Sequence, residues 1–387
     1  MDSFGVYIHV PYCRTICPYC DFNVHAAQTH PWPQLAQSII REMNRRAPLF
    51  EDKRVGSIYF GGGTPSLAPP EFFSAIITAI EGRFEHFGHY EITGEINPGT
   101  IDLAGLEKWR SLGINRASLG WQTTHERLMK VLGRDHSVED SYGAFYDARR
   151  AGFDNISVDL IFGVPGQKNS ELEDDLERVI ELKPDHISIY EMTFHKGTPY
   201  AFYRQEGRLK PLADESVLAM TLKVEEALQQ ASYEQYEISN FARANKRSEH
   251  NQRYWTGSSF LGLGPGAHSF VRNGWVSGSR WESRRNPKRY MEAFQSDGTL
   301  VPELEDGSVE FYDSLDSRQL LNERIMTGVR LLDGIAIQEL ALGDCSEGFW
   351  LAHSEGVKRG WLVDSPHQLR ATQQGRRHAD SLAELFF

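Results

Sequence analysis

Gly5-Val-Tyr-Ile-His-Val10-Pro-Tyr-Cys13-Arg-Thr-Ile-Cys17-Pro-Tyr-Cys20-Asp-Phe22 opens as an apolar, β-branched run and turns at once into a loop carrying three of the chain's four cysteines. Residues 5–10 read as a strand, so the cysteines stand at its carboxyl end. Three thiolates on one tight loop can bind three irons of a [4Fe–4S] cluster and leave the fourth iron without a protein ligand. An iron left open is where a cluster does chemistry rather than only carrying electrons, much as catalytic zinc keeps one position free. Zinc is the competing reading: the run holds one C-x2-C pair, and His9 or His25 would complete a Cys3His site. Disulfides fit less well, because cysteines this close strain a bridge and a low cysteine count suits a reducing compartment. Cys345 stands alone and reads as a small buried hydrophobe.

Outward from this loop the same rhythm repeats. Apolar runs with β-branched or aromatic residues recur at Val55–Phe60, Tyr90–Ile96, Asn115–Leu119, Asn155–Ile161 and His186–Tyr190. Helical patterns separate them at Pro33–Arg46, Pro70–Arg83, Ala104–Ser111, Val138–Ala151 and Ser170–Leu182. Such alternation implies parallel strands joined by helical crossovers. Six units are too few for a closed eight-fold barrel, so the fold class expected is α/β with an incomplete (β/α)6 barrel. A doubly wound sheet is the alternative.

The chemically suggestive residues all follow strands. Gly61-Gly62-Gly63-Thr64-Pro65 follows the second, Glu95 and Asn97 end the third, and Gln122 follows the fourth. Asp159 lies in the fifth, before Phe162-Gly-Val-Pro-Gly-Gln167, and the sixth ends in Tyr190-Glu-Met-Thr193. In barrels the carboxyl ends of the strands make one rim, where active sites are built. The glycines permit close approach of backbone to a ligand, though they lack the lysine of a phosphate loop. Glu95 and Asp159, carboxylates in apolar strands, must be paired or face a ligand, and Glu95 suits the hydroxyls of a ribose. Arg134 is the cation expected to meet a ligand carboxylate; its bland reading is a surface arginine.

Past residue 200 the rhythm changes. Three segments are expected: a core over 1–240, a connecting segment over 241–315, and a mainly helical C-terminal domain over 316–387. The connecting segment contains His250-Asn-Gln-Arg-Tyr254-Trp255 and the glycine-rich Phe260-Leu-Gly-Leu-Gly-Pro-Gly-Ala-His268. A histidine beside large aromatics suits a planar macrocycle or a haem iron, although a lone histidine is more often a satisfied structural residue. The basic run Arg280–Arg289 is either a solvated loop or a surface for carboxylates or anionic lipid headgroups.

Composition narrows the class. Forty per cent hydrophobic and 24% charged residues are those of an ordinary globular protein. A net charge of −12 argues against a general nucleic-acid binder. No apolar run reaches the ~20 residues needed to cross a bilayer. The first strand begins so early that no signal peptide is expected, and the location expected is cytoplasmic, with peripheral membrane contact through the basic run.

The motif Cys13-x3-Cys17-x2-Cys20 with Gly61-Gly62-Gly63-Thr64-Pro65 resembles the radical S-adenosylmethionine (SAM) superfamily. Tyr7-Ile-His-Val-Pro-Tyr-Cys13, Glu95-Ile-Asn-Pro-Gly, Leu119-Gly-Trp-Gln122, Gly133-Arg134, Asp159-Leu-Ile-Phe-Gly-Val-Pro-Gly and Arg324-Ile-Met-Thr-Gly-Val-Arg-Leu extend the likeness over nearly the whole chain. They are similar to the branch holding oxygen-independent coproporphyrinogen III oxidase (HemN) and the haem chaperone HemW. The resemblance implies a [4Fe–4S] cluster on Cys13, Cys17 and Cys20 whose open iron chelates SAM. It implies a SAM pocket of Tyr7, Tyr19, Gly62, Gly63, Thr64, Glu95, Gln122, Arg134 and Asp159, with Thr193 and His268 near a second SAM. It also implies that one-electron reduction of the cluster cleaves SAM to a 5′-deoxyadenosyl radical. Where the oxidase continues with C-x-C, this chain has Cys20-Asp21-Phe22, and the oxidase has a longer segment before its first strand. Both departures point to the HemW side, as does His250-Asn-x-x-Tyr254-Trp255, which matches a haem-associated motif. The function expected is a chaperone that binds haem or porphyrin and passes it to recipient haemoproteins, with a low-potential electron donor as further partner. Radical oxidative decarboxylation of coproporphyrinogen III is the alternative.

Overall fold

The computed structural model describes residues 2–27, 29–295 and 307–387; residues 296–306, within the expected connecting segment 241–315, lie outside the described residues. The six expected strands form: β1 Ser3–Val10, β2 Arg54–Gly62, β3 His86–Ile96, β4 Arg116–Gln122, β5 Ile156–Phe162 and β6 His186–Glu191. Each is parallel to the next, in unbroken sequence order. Parallel crossovers are right-handed, so an order that never reverses puts the crossover helices on one face and curls the sheet around the other. A doubly wound sheet would need a reversal, and these six strands have none. The sheet stays open, as expected of an incomplete barrel.

The sequence reading missed how far the sheet continues. Beyond β6 lie two short antiparallel strands, β7 Glu234–Gln235 and β8 Asn240–Ala242. On the other side of β1 come β9 Phe260–Leu263, parallel to it, then β10 His268–Asn273, β11 Ser277–Ser283 and β12 Val309–Asp316 as an antiparallel meander. All twelve belong to one sheet. The stretch 260–268 looks like a loop because glycines weaken strand propensity, yet they serve close approach: a Cβ on Gly262 would lie 2.0 Å from the His268 carbonyl oxygen.

Side chains alternate across the sheet as strand geometry requires. Val6, Ile8, Ile58, Phe60, Ile92, Leu119, Val158 and Ile187 pack in one apolar core with α1 Trp32–Arg46 and α2 Pro70–Arg83, through Leu35, Ile39, Phe73 and Ile76. The opposite register is polar or aromatic. Cross-strand rows run Gly5–Ser57–Glu91, then Tyr7–Tyr59–Thr93–Arg116, then Glu95–Ser118–Ser157–His186, then Gly120–Asp159–Ser188. The barrel lining is therefore not an aliphatic core but a ladder of groups that need partners. Near the C-terminus, a separate apolar cluster gathers Leu321, Ile325, Val329, Phe349, Leu362 and Leu382.

Candidate functional site

The cysteine loop is pinned to the rim at both ends. Tyr12–Cys13 pairs with His25–Ala26, and the glycine run continues the ladder from β2: Gly63 donates to the Val10 carbonyl (2.7 Å) and Thr64 to the Tyr12 carbonyl (2.8 Å). Gly62 has φ +110°, and a Cβ there would lie 2.5 Å from the His9 imidazole. Glycine is thus required at this position by both conformation and space. The turn after β9 closes the far side. Asn23 donates to the carbonyls of Pro265 and Arg285, both at 2.8 Å, and a side chain on Gly266 would strike Asn23.

Over the loop's middle lies Gly133, the left-handed end of α3 Glu126–Leu132 (φ +65°), where a Cβ would lie 2.5 Å from Pro18. Beside it, Arg134 ties three segments together: it donates to the Gly120 carbonyl (2.9 Å), to Asn97 Oδ1 and to Cys17 Sγ (3.7 Å). Thr64 Oγ1 donates to Cys13 Sγ at 3.4 Å. Burial pushes the Cys13 thiol up and the Cys20 thiol up to about 11. The three thiols are unoxidised and half-buried.

Beneath the loop, Glu95 takes hydrogen bonds from Tyr59 Oη (2.8 Å) and the Gly62 amide (3.1 Å). Burial raises its carboxyl to about 7; the Tyr59 bond opposes this and the Asp159 charge adds to it. Asp159 accepts from Ser118 (3.1 Å) and Ser157 (3.2 Å), and burial raises it as well. Tyr7 Oη sits 3.1 Å from His9 Nδ1, while His9 Nε2 lies 2.8 Å from the Asn23 carbonyl. Gln122 has φ +72° beside a register shift in β4, a strained geometry at the strand's end. Thr193, just past β6, and His268, at the start of β10, are exposed, with His268 3.7 Å from Glu282.

The donor set suits a cluster. Three free sulfurs share one anchored loop, and the guanidinium above it has a buried Nε without a partner. Among the described residues, no three His, Cys, Asp or Glu side chains converge on a single ion, whereas a cluster takes each thiolate at a different iron. Cys13, Cys17 and Cys20 would hold it.

The haem motif lies elsewhere. His250 is on α4, Glu249–Trp255, at the barrel's amino-terminal end, and is 1% exposed. Its Nδ1 sits 2.9 Å from Ser57 Oγ and its Nε2 2.9 Å from Tyr254 Oη. Its ring stacks on Tyr59 at 5.1 Å, and burial, then the charges of Arg253 and Arg116, push it down to about 3. Both ring nitrogens are engaged, and the imidazole is not among the rim residues. Trp255 has a buried indole nitrogen without a partner, and Arg330 lies over its ring. The basic run is largely neutralised: Arg280 pairs with Asp313 and Glu323, Arg284 with Glu310, Arg285 with Glu282. No helix among the described residues is long and apolar enough to cross a membrane.

Sequence reasoning missed Tyr59 and Asn23, and offered His9 only as a zinc ligand, whereas it bridges Tyr7 and the Asn23 carbonyl. Tyr59 was legible in principle, as the inward neighbour of Ile58 and Phe60 in an alternating strand; Asn23 was not, because its partners are over 240 residues away in sequence.

The Radical SAM superfamily model matches residues 7–179. The chain is 33% identical to radical S-adenosyl methionine domain-containing protein 1, mitochondrial, of Danio rerio, covering 87% of this chain and 75% of that protein. It is 30% identical to the Heme chaperone HemW of Haemophilus influenzae, over 100% of this chain and 98% of that one. Among solved structures, the HemN coproporphyrinogen III oxidase of Escherichia coli superposes with a TM-score of 0.82 over 100% of this chain and 90% of that one. At 21% identity that match speaks for the fold alone. The polar-lined open barrel, its rim of cysteines and glycines, and full-length kinship together place the chain in the radical SAM superfamily, within the HemN/HemW family and on its HemW side.

Proposed function

We propose that this protein is a haem chaperone of the HemW kind, which binds haem and delivers it to recipient haemoproteins while carrying a [4Fe–4S] cluster and SAM at the barrel rim. The observation that carries the cofactor reading is one juxtaposition: three half-buried cysteines on a loop anchored beside Glu95, Gly62 and Arg134. Cys13, Cys17 and Cys20 hold the cluster in this proposal, and one-electron reduction is the chemistry it supplies when bound.

The chain's own residues do the rest. Glu95 offers a carboxylate to the ribose hydroxyls, its two oxygens aimed by Tyr59 and the Gly62 amide. Gly62 and Gly63 let backbone approach the ligand, Thr64 donates to Cys13, and Arg134 braces Cys17. Tyr7, Tyr19, Gln122 and Asp159 complete the pocket. The haem half of the proposal rests on relatives named Heme chaperone HemW that match over the full chain. A low-potential electron donor and a cytoplasmic location belong to the same reading. Peripheral membrane contact draws little support from arginines that already have acidic partners.

One anaerobic assay tests it. Reconstituted protein with SAM and a reductant is given either haem or coproporphyrinogen III. Stoichiometric haem uptake, transfer to an apo-haemoprotein and no protoporphyrinogen are expected. Turnover of coproporphyrinogen III would overturn the chaperone reading in favour of the oxidase.

A further inference from the structure

We infer that His250 is a positioning residue for the SAM pocket and not a ligand to haem. α4 is a plug pushed into the floor of the barrel. The amides of Glu249 (3.0 Å) and His250 (3.1 Å) and the hydroxyl of Ser248 (3.3 Å) donate to the Glu91 carboxylate, which thereby caps the plug. Arg253 reaches Ser57 (2.9 Å) and Ser3 (2.7 Å).

The barrel strands are shaped to admit the plug. A Cβ on Gly5 would lie 3.0 Å from His250 Cε1, and one on Gly56 would lie 2.0 Å from Arg253 Nη2. Inside, aromatic rings form a column from floor to rim: His250 on Tyr59 at 5.1 Å, Tyr59 on Tyr7 at 6.1 Å, and Tyr7 against His9 at 6.0 Å. Tyr59 then delivers its hydroxyl to Glu95 at 2.8 Å.

An axial ligand needs a bare nitrogen and an open approach to it. His250 has neither: one nitrogen meets Ser57, the other meets Tyr254, and the ring is walled by Tyr59, Tyr254 and Gly5. What it can do is fix where Tyr59 stands. A ring held on one face and at both nitrogens transmits its position through the stack, so the tyrosine hydroxyl meets Glu95 without searching.

The inference rests on the proposal that Glu95 binds SAM, and the test separates the two. Full-length protein is reconstituted anaerobically as wild type, His250→Ala and Tyr59→Phe. SAM affinity is read from the electron paramagnetic resonance shift of the reduced cluster, and haem affinity from the Soret band of the same preparations. Tyr59→Phe keeps the stack and removes only the hydroxyl, so it carries the test where His250→Ala folds poorly. SAM affinity is expected to fall about tenfold in both variants, as for loss of one well-formed hydrogen bond to a charged group. Iron content, haem affinity and Soret position are expected to match wild type. A His250→Ala protein that responds to SAM like wild type but has lost haem affinity or shifted its Soret band overturns the inference alone. So does a Tyr59→Phe protein with unchanged SAM affinity. A wild-type cluster with no response to SAM overturns the underlying reading, and the inference with it.

Discussion

The two ends of this barrel treat polar groups in opposite ways. At the floor, Glu91 collects three donors from α4 and faces Arg116, and His250 spends both nitrogens on hydroxyls. At the rim, three thiols lie half-buried, Arg134 keeps a buried nitrogen without a partner, and Glu95 is crowded by burial and by Asp159 until its carboxyl reaches about 7. A fold can keep costly polar groups in either of two ways, by satisfying them internally or by leaving them for something that binds. The floor takes mainly the first course, with two unpartnered nitrogens of Arg116 as the exception, and the rim the second. The difference separates residues that build the site from residues that occupy it, even where both kinds look equally chemical in the sequence.

The largest effect should come from removing a group that waits for a ligand. Cys17→Ala is expected to abolish the cluster, with iron and sulfide falling to background after anaerobic reconstitution. The apoprotein should keep its far-ultraviolet circular dichroism and its melting temperature, because among the described residues Cys17 is not part of an apolar core cluster. A variant that retains iron and sulfide near wild-type stoichiometry would show that the loop does not hold the cluster through three cysteines.

At the floor the same kind of deletion should do the reverse, harming the fold and sparing the chemistry. Glu91→Ala strips the plug of its acceptor and removes the carboxylate 3.9 Å from the buried Arg116. Arg116 already carries two buried nitrogens that lack hydrogen-bond partners, so it has no spare partner to turn to. Breaking one side of a buried pair typically costs about 3–5 kcal/mol. Denaturant unfolding should report a loss in that range, whereas a loss under about 1 kcal/mol would mean that water enters the floor and replaces the carboxylate.

That asymmetry also explains what could be read in advance. The six parallel strands, the rim and the cysteine loop were legible because each signal is local: alternation along a strand, then glycine, carboxylate or cysteine just past its end. Glu95 and Asp159 were legible because a carboxylate inside an apolar run has to be accounted for. The packing of His250 was not. Its neighbours Tyr254 and Trp255 suggest a ligand pocket, but its decisive partners, Ser57 and Tyr59, are nearly 200 residues away, and no pattern in 250–255 announces them. The meander β9–β12 was missed for a related reason. Its glycines signal a loop locally, and only the approach of β10 to β9 reveals why Gly262 must lack a side chain.

The finest separation of rim from floor is by pH. Burial raises Glu95 to about 7, with Asp159 adding to the shift and Tyr59 and the Gly62 amide opposing it. Arg116, Tyr59 and Asp159 bear on it most directly, and Tyr7 and Tyr254 also feel its charge. An acid whose folded pKa is raised binds its proton more tightly in the native state than in the unfolded chain. Its contribution to stability is therefore full below the unfolded carboxylate range and declines as pH rises toward 7. Ligand binding runs the other way, because a ribose hydroxyl donates better to a carboxylate than to a carboxylic acid. SAM affinity should thus increase as pH rises from 6 to 8, by up to about tenfold, since one pKa unit corresponds to ~1.4 kcal/mol. Glu95→Gln should weaken binding and flatten this dependence, because its amide cannot ionise. His250, held down near 3, stays neutral throughout that window and cannot supply the slope. A pH dependence that survives in Glu95→Gln would move the titrating group to Asp159 and shift the boundary between the groups that bind and those that brace.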